Sequence, residues 1–340
     1  MSRRILVARL DSMGDVLVSG PAVRAVAASA EVVLLAGPQG APAARLLPGV
    51  AAVEVVDAPW ITGSAAPVEA VLVERFAEIV AAHGIDEAVL LTSFHQSPLP
   101  TALLLRLAGV TRISGASVDA AGGLLDTRLI PGETLPEELP EPVRALRIAD
   151  AAGFALPAGD DGRLAVALPG DAEPAEAGPY VVVHPGAAVP ARAYPAAGHA
   201  RIVERLAAAG HRVLVTGAPA EAALTAEVAG SAGVDLGGRL DLTALAATLR
   251  GAGVVVSGNT GPAHLAAAVG TPVVSLFAPV VPAVRWAPYG VPVALLGDQA
   301  APCAGSRARV CPIPGHPCLA DVDPAEVVAA AERLLAGGAG

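Results

Sequence analysis

Short runs of β-branched and aliphatic residues alternate with longer stretches rich in Ala and Leu along the whole chain. In the first half, this pattern predicts strands at residues 5–10, 31–36, 53–57, 88–92 and 112–114, and helices at 68–83 and 101–107. In the second half, it predicts strands at 180–183, 212–216, 254–257 and 273–277, and helices at 196–209, 221–229, 242–249 and 262–269. Alternation of this kind predicts an α/β fold with parallel sheets covered by helices on both faces.

The length and one unusual stretch predict where the chain divides. A chain of 340 residues suggests two domains at about 150 residues each. Residues 169–179 are rich in Pro, Gly, Ala and acidic residues, as is typical of a linker. We therefore predict two doubly wound domains, 1–169 and 170–340, that face a central cleft. The last helix is a candidate to pack back on the first domain. Ligands of such sheets bind at the carboxyl ends of strands, so motifs there matter most.

Composition excludes several classes of protein. The chain is 54% hydrophobic and 16% charged, and all its basic residues are Arg, a composition typical of a GC-rich bacterial genome. A net charge of −10 argues against nonspecific nucleic-acid binding, which needs a basic surface. Because the sequence contains neither a signal-peptide pattern nor a long apolar run, we expect a cytoplasmic protein. Any membrane association is expected to be peripheral.

The strongest functional motif is VVVSGNTGPAHLAAAVGTPVVSLFAP at residues 254–279. Asn259 or Thr260 can cap the helix that follows the strand, and a Pro lies in its first turn. Gly261 lets a ligand approach the backbone closely, and His264 lies one turn after Thr260. The free N–H groups and the dipole of this helix start suit a diphosphate. The alternative is a well-capped structural helix.

Two further motifs follow predicted strands. HPGAAVPARAYP, residues 184–195, contains Arg192, which can either fork onto phosphate oxygens or lie solvated in the loop. His184 is expected to orient this loop rather than to do chemistry. VLVTGAPAE, residues 213–221, places Glu221 at a helix start. That acid suits the helix dipole and could equally bind ribose hydroxyls.

The first predicted turn carries two acids in RLDSMGD, residues 9–15. Asp15 follows Gly14, which lets a substrate approach, so we favour it as a functional carboxylate. Asp11 is nearer the strand end and is expected to cap the turn or hydrogen-bond to its backbone. Helix capping is the structural alternative for both.

Four patches in order resemble glycosyltransferase family 9, the ADP-heptose heptosyltransferases known from lipopolysaccharide core assembly. They are RILVARLDSMGDVLVSGPAVRAV, HPGAAVPARAYP, TGAPAE and SGNTGPAHLAAAVGTPVVSLFAP. The resemblance implies a GT-B architecture, two Rossmann-like domains with the active site between them. It also implies an inverting transfer without a metal or other cofactor. The nucleotide sugar would bind mainly to the C-terminal domain and the acceptor mainly to the N-terminal one.

The resemblance also implies roles for individual residues. Asp15 matches the proposed catalytic base. The implied donor-binding residues are Arg192 at the diphosphate, Glu221 at the ribose, Leu240 at the adenine, and Asn259, Thr260, Gly261 and His264 at the phosphate-binding helix start. Asn259 stands where the family more often has Asp, so the charge of that side chain is absent.

The acceptor side is less well defined by the sequence. Acceptor-side candidates are Gly14, Asp11, His95 and Gln96, the last two in a polar loop after a predicted strand. The N-terminal half has few basic residues, which argues against a phosphorylated lipopolysaccharide core as the acceptor. A glycan, a lipid or a small natural product remains as the acceptor class.

Three cysteines lie in PCAGSRARVCPIPGHPC, residues 302–318. Their C-x7-C-x6-C spacing fits no standard zinc pattern, so free thiols or one Cys pair are favoured and no metal is predicted. Two other functions stay open from the sequence. One is a nucleotide-sugar 2-epimerase of the same architecture, and the other is a non-catalytic nucleotide-sugar-binding protein.

Overall fold

The computed structural model describes residues 3–62, 67–93 and 95–337. The chain divides into two compact units, Met1–Ala167 and Leu168–Gly340. Each unit contains one six-stranded sheet in which the paired strands run parallel. The α/β class and the two Rossmann-like sheets predicted from the alternating pattern are therefore confirmed.

The strands of the first unit are β1 Arg4–Arg9, β2 Glu31–Ala36, β3 Val50–Val55, β4 Glu87–Leu90, β5 Arg112–Ala116 and β6 Thr127–Leu129. Those of the second unit are β7 Val181–His184, β8 Val213–Val215, β9 Val234–Asp235, β10 Val254–Gly258, β11 Val273–Leu276 and β12 Val293–Leu296.

The helices of the first unit are α1 Met13–Val18, α2 Gly20–Ala27, α3 Ala41–Ala44, α4 Pro59–Thr62, α5 Ala70–His83, α6 Leu99–Leu107 and α7 Glu141–Ala151. Those of the second are α8 Ala196–Ala208, α9 Ala222–Ala229, α10 Leu242–Gly251, α11 Gly261–Ala268, α12 Ala283–Trp286, α13 Pro317–Ala320 and α14 Pro324–Gly337. Short 3-10 helices occur at Gly122–Leu124, Pro190–Arg192 and Pro219–Glu221.

The two sheets have the same strand order. In the first it is β3-β2-β1-β4-β5-β6, and in the second, from the opposite edge, β9-β8-β7-β10-β11-β12. The order reverses between β1 and β4 and again between β7 and β10. Such a reversal opens a crevice outside the carboxyl ends of the two strands, where ligands of this fold bind. The motifs after β1, β7 and β10 all lie at these two positions.

The central strands are apolar on both faces because helices cover both faces of each sheet. Ile5, Leu6 and Val7 of β1 are each 0% exposed, and the buried part of β10 is an equally continuous run of valines. The three strands that the periodicity did not predict, β6, β9 and β12, are half-buried along their length. All three lie at a sheet edge. β6 and β9 are short and contain polar residues, so they lack a continuous apolar run, whereas the Val-Ala-Leu-Leu sequence of β12 is apolar throughout and was overlooked.

The last helix packs within the second unit. α14 contacts α8 and the strands β10, β11 and β12. Among the residues that the structure describes, no helix is both long enough and apolar enough to span a membrane.

Candidate active site

A buried arginine organises the crevice of the first unit. Arg9, the last residue of β1, is 1% exposed although it lies at the end of an apolar strand. Its Nε atom lies 2.8 Å from Oδ2 of Asp11, and its Nη2 atom donates to Oδ1 of Asp15, also at 2.8 Å. Oε2 of Glu141, at the start of α7, lies 4.0 Å from Nη1. One cation is therefore shared by three carboxylates.

Asp15 is held in one orientation by several donors. It lies in the first turn of α1, and Ser12 donates to its Oδ2 atom at 2.6 Å. Ser93, which follows β4, receives a hydrogen bond from Arg9 at 2.7 Å and lies 3.3 Å from Oδ1 of Asp15. The side chain of Asp15 keeps 19% of its surface exposed, against 9% for Asp11. Asp15 is thus fixed in place and still reachable by a substrate.

Asp11 is more than part of a turn. Burial raises the pKa of its carboxyl group, Arg9 opposes that rise, and the charge of Asp15 adds to it. Gln96 donates to Oδ1 of Asp11 and accepts from the backbone N–H of Ser93 at 3.2 Å. The expectation that Asp11 only supports its own turn is thus too narrow, because its carboxylate bonds to side chains from two neighbouring strand ends.

The structure also locates the remaining acceptor-side candidates. Gly14 is buried at the second position of α1, and His95 is exposed in the loop after β4 next to Gln96. Sequence reasoning missed Arg9, Ser93 and Glu141. A charged residue closing an otherwise apolar strand was a usable signal for Arg9. Nothing local pointed to Glu141, which reaches this site only through the packing of α7.

In the second unit, the helix α11 begins beside the loop that carries Arg192. Thr260 is its N-cap, and the Thr260 side chain makes no capping hydrogen bond. Gly261 and a Pro occupy the first two helical positions, so the donors of this first turn are backbone N–H groups. A Cβ atom on Gly258 would lie 3.2 Å from the carbonyl oxygen of Arg192. The end of β10, just before the N-cap of α11, therefore lies close to the backbone of the Arg192 turn.

Two polar side chains at this helix start are buried. Asn259 is 5% exposed, and its Oδ1 atom accepts from the N–H of Ala278 at 3.4 Å. Its Nδ2 atom has no partner among the residues that the structure describes. His264 is 6% exposed on the same helix. A buried amide donor without a partner costs free energy unless a ligand accepts its hydrogen bond.

Glu221 lies at the neighbouring strand ends. It closes the 3-10 helix after β8, and its Oε2 atom accepts from the N–H of Ala218 at 2.8 Å. The Oε1 atom of Glu221 lies against the backbone of Gly186, where a Cβ atom would be only 2.1 Å from it. Nε2 of His184 lies 3.9 Å from Oε2, and Nδ1 of His184 bonds to Thr216 at 3.0 Å. Burial lowers the pKa of His184 to about 4, so its imidazole is neutral at pH 7.

Leu240 lies half-buried in the loop after β9. That loop touches the Glu221 turn, because the N–H of Gly238 donates to the carbonyl oxygen of Gly217 at 2.9 Å. The predicted donor-binding residues thus come from the carboxyl ends of β7, β8, β9 and β10, within one unit.

The three cysteines are free thiols. Cys303 and Cys318 are each 3% exposed in the core of the second unit. Burial, together with Cys303 and Cys311, raises the pKa of Cys318 to about 11. In the described parts of the chain, no group of three or more His, Cys, Asp or Glu side chains is arranged to hold a metal ion.

Comparison with known proteins gave matches of two kinds. The family model described as glycosyltransferase family 9 (heptosyltransferase) matches residues 142–316, just over half of the chain. A comparison with curated protein sequences gave no match.

Three solved structures share the fold along almost their whole length. A family 9 glycosyltransferase from Veillonella parvula is 16% identical at a TM-score of 0.75, with 98% of each chain covered. The ADP-heptose lps heptosyltransferase II of E. coli is 18% identical at a TM-score of 0.75, covering 99% of this chain and 100% of that one. E. coli heptosyltransferase WaaC with ADP is 20% identical at a TM-score of 0.71, covering 97% and 99%.

Proposed function

The chain belongs to glycosyltransferase family 9, and from that membership we propose that it moves a heptose or a related sugar from an ADP-sugar to an acceptor hydroxyl. The proposed transfer inverts the anomeric configuration and uses no metal ion. The observation that carries the proposal is the close approach of the end of β10, just before α11, to the backbone of the Arg192 turn, with Glu221 after the neighbouring strand β8.

We assign the ADP part of the donor to these residues of the second unit. The diphosphate accepts from the N–H groups at the start of α11, from the guanidinium of Arg192 and from Nδ2 of Asn259. The ribose hydroxyls donate to Glu221, and Leu240 offers an apolar surface to the adenine. The structural neighbour E. coli heptosyltransferase WaaC, solved with ADP, supports this choice of nucleotide.

Asp15 is the proposed general base. A sugar hydroxyl is a weak nucleophile, and a carboxylate that takes its proton in the transition state speeds the attack. The hydrogen bonds from Ser12 and Arg9 fix the direction of the Asp15 carboxylate, so little reorganisation is needed when the acceptor arrives. Arg9 acts here by positioning the base.

The leaving ADP gains negative charge as the bond to the sugar breaks. In the proposed mechanism, Arg192 and the oriented N–H groups of the α11 start stabilise that charge, which suits a transfer without a metal. A single displacement by the acceptor oxygen at the anomeric carbon then inverts the configuration. We propose a glycan, a lipid or a small molecule as the acceptor and the cytoplasm as the compartment of the reaction.

Calorimetric titration with ADP and UDP tests the donor assignment. We expect ADP to bind and UDP to bind far more weakly. Tight UDP binding without a response to ADP would contradict the proposal. Mass spectrometry of products formed from ADP-heptose and cell extract, with and without EDTA, tests the transfer and its independence of metal. The anomeric proton of the product, observed by NMR, reports the stereochemistry.

Asp15→Asn tests the base. This variant keeps the shape of the side chain, so ADP affinity should stay unchanged while kcat falls by about 10²–10⁴-fold. Asp150→Arg, an exposed change at the far end of α7, serves as the control variant that keeps full activity. An Asp15→Asn protein with full transfer activity would rule out this base, and ADP binding without any transfer would favour a non-catalytic nucleotide-sugar binder.

A further inference from the structure

A cavity lies in the first unit, near the acid cluster around Arg9. Its volume is about 110 Å³, and it lies between the loop after β4 and the loop after β5. The polar side chains that line it are those of His95, Gln96, Ser97, Ser117 and Asp119. This cavity, called the β4–β5 cavity below, is at the carboxyl edge of the sheet, where ligands of this fold bind.

Gln96 connects the β4–β5 cavity with the proposed base. It lines the cavity, and its amide donates to Asp11. Asp11 pairs with Arg9 at 2.8 Å, and Arg9 in turn donates to Asp15 at 2.8 Å. The side chains of Gln96, Asp11 and Arg9 therefore connect a group seated in the cavity with the base, on the same edge of the same sheet.

Among the described side chains that line the cavity, the charged one is the acid Asp119. Arg128 is not among these lining side chains, and its guanidinium is engaged by backbone, since it donates through Nε to the carbonyl oxygen of Ser117 at 3.0 Å and through Nη2 to that of Val118 at 2.9 Å. Arg9 is already shared by three carboxylates. An anionic group in the cavity would meet Asp119 and the nearby acid cluster, which disfavours it.

The lining suits hydroxyl groups. The Asp119 carboxylate accepts from hydroxyls, the Ser97 hydroxyl can donate, and the Ser117 hydroxyl, which already donates to a backbone carbonyl, can accept. The Gln96 amide keeps one N–H and one lone pair beside its hydrogen bonds to Asp11 and Ser93. Val118 is 63% exposed, so it offers an apolar surface beside these groups. A sugar ring presents this combination, with hydroxyls at its edge and C–H groups on its faces.

We infer that the β4–β5 cavity binds the part of the acceptor next to the reacting hydroxyl, and that this part is a neutral, hydroxyl-rich group such as an unphosphorylated sugar residue. The inference rests on the proposed transfer reaction. It narrows the acceptor from glycan, lipid or small molecule to one whose reacting end carries neither phosphate nor carboxylate.

The test uses pairs of acceptors that differ only in charge. Methyl glycosides of common hexoses and heptoses and their 6-phosphates are incubated with the full chain and ADP-heptose, and ADP release and product mass are measured. We expect transfer to neutral glycosides with at least about tenfold higher kcat/KM than to their phosphates, which corresponds to one hydrogen bond to a charged group. Equal or faster transfer to the phosphates would overturn the inference.

Asp119→Arg reverses the charge at the cavity. In this variant, we expect kcat/KM for the neutral glycosides to fall about tenfold and that for the 6-phosphates to rise. Asp150→Arg makes the same change in charge at an exposed position about 14 Å along α7 from Glu141, and it should change neither value. Identical charge selectivity in the two variants would overturn the role of the cavity.

A measurement of ADP binding distinguishes failure of the inference about the cavity from failure of the proposed function. If ADP binds and transfer occurs but phosphorylated acceptors are preferred, the inference about the cavity fails and the proposed function stands. If ADP does not bind to the protein, the proposed function itself fails. Saturation-transfer NMR with the methyl glycosides then tests the cavity alone, and an unchanged signal in Asp119→Arg would overturn it.

Discussion

The buried arginine of the first unit offers the sharpest test of the structure. Arg9→Met replaces the guanidinium by an apolar side chain of similar length and leaves Asp11 and Asp15 without their shared counter-ion. Only 9% of the Asp11 side chain is exposed, so hydration by water cannot replace the lost interaction of its charge with Arg9. Breaking a buried ion pair by removing one partner costs about 3–5 kcal/mol, and we expect a loss of this size in the free energy of unfolding.

The loss should depend on pH in a defined direction. Burial raises the pKa of Asp11, and Arg9 opposes that rise. Without Arg9, the pKa of Asp11 in the folded state moves further above the ordinary value for Asp of about 3.9. The folded state then binds a proton that the unfolded chain has released, so stability falls as the pH rises through that window. Arg9→Met should therefore be more destabilised at pH 8 than at pH 5.

Urea unfolding of the full chain, followed by circular dichroism at both pH values, measures this effect. Arg9→Met combined with Asp11→Asn removes both charges and should recover part of the loss at pH 8. Arg9→Lys keeps the charge, but one ammonium cannot reproduce the two contacts that Nε and Nη2 make with different carboxylates, so an intermediate loss is expected. A loss under about 1 kcal/mol at pH 8, or one independent of pH, would refute the role given to Arg9.

Three further predictions concern the second unit. Gly186→Ala forces Glu221 to move, because the new Cβ atom would lie 2.1 Å from Oε1 of Glu221. The ADP affinity measured by calorimetry should fall about tenfold. Gly170→Ala is the control that should leave it unchanged, because its new Cβ atom has no described atom within 4 Å. Burial lowers the pKa of His184 to about 4, so stability should drop as the pH falls from about 6.5 towards 4, by up to about 3 kcal/mol, and His184→Gln should flatten this part of the curve. The thiol of Cys318, with its pKa raised to about 11 by burial, should react with iodoacetamide at pH 8 only after unfolding in urea. Peptide mass spectrometry separates it from the partly buried Cys311, and rapid labelling of Cys318 itself in the native chain would contradict its buried position.

The local pattern was sufficient for most of the elements. Continuous apolar runs identified the central strands, and the motif after β10 predicted a helix over 262–269 capped by Asn259 or Thr260, where the structure has α11 from Gly261 to Ala268 with Thr260 as its N-cap. Hydrophobic periodicity is informative there because a strand covered on both faces must be apolar throughout. The strands β6 and β9 were missed because they are short, half-buried edge strands, where burial imposes little on the sequence. β12 was missed although its Val-Ala-Leu-Leu sequence is a continuous apolar run.

Contacts between residues far apart along the chain could not be predicted from these local patterns. The sequence separated Asp11 from Asp15 by their positions in the turn and assigned only Asp15 to chemistry. In the structure both carboxylates bind Arg9. Ser93 and Gln96 contact this cluster from the loop after β4, a strand that is adjacent to β1 in the sheet but far from it along the chain. The parallel pairing of β1 with β4 places Ala8 opposite Leu90 and so brings the two loops together.

The sequence by itself determined the α/β class, the two Rossmann-like sheets and the family, because each depends on periodicity or on short motifs whose residues are neighbours along the chain. Only the tertiary structure decided what surrounds the predicted base. A buried cation needs its counter-charges within a few ångströms, and those come from the turn after β1 and the start of α7, while the loop after β4 adds the Ser93 hydroxyl as an acceptor. The order of strands in the sheet, rather than any local preference, brings these three segments together at one edge.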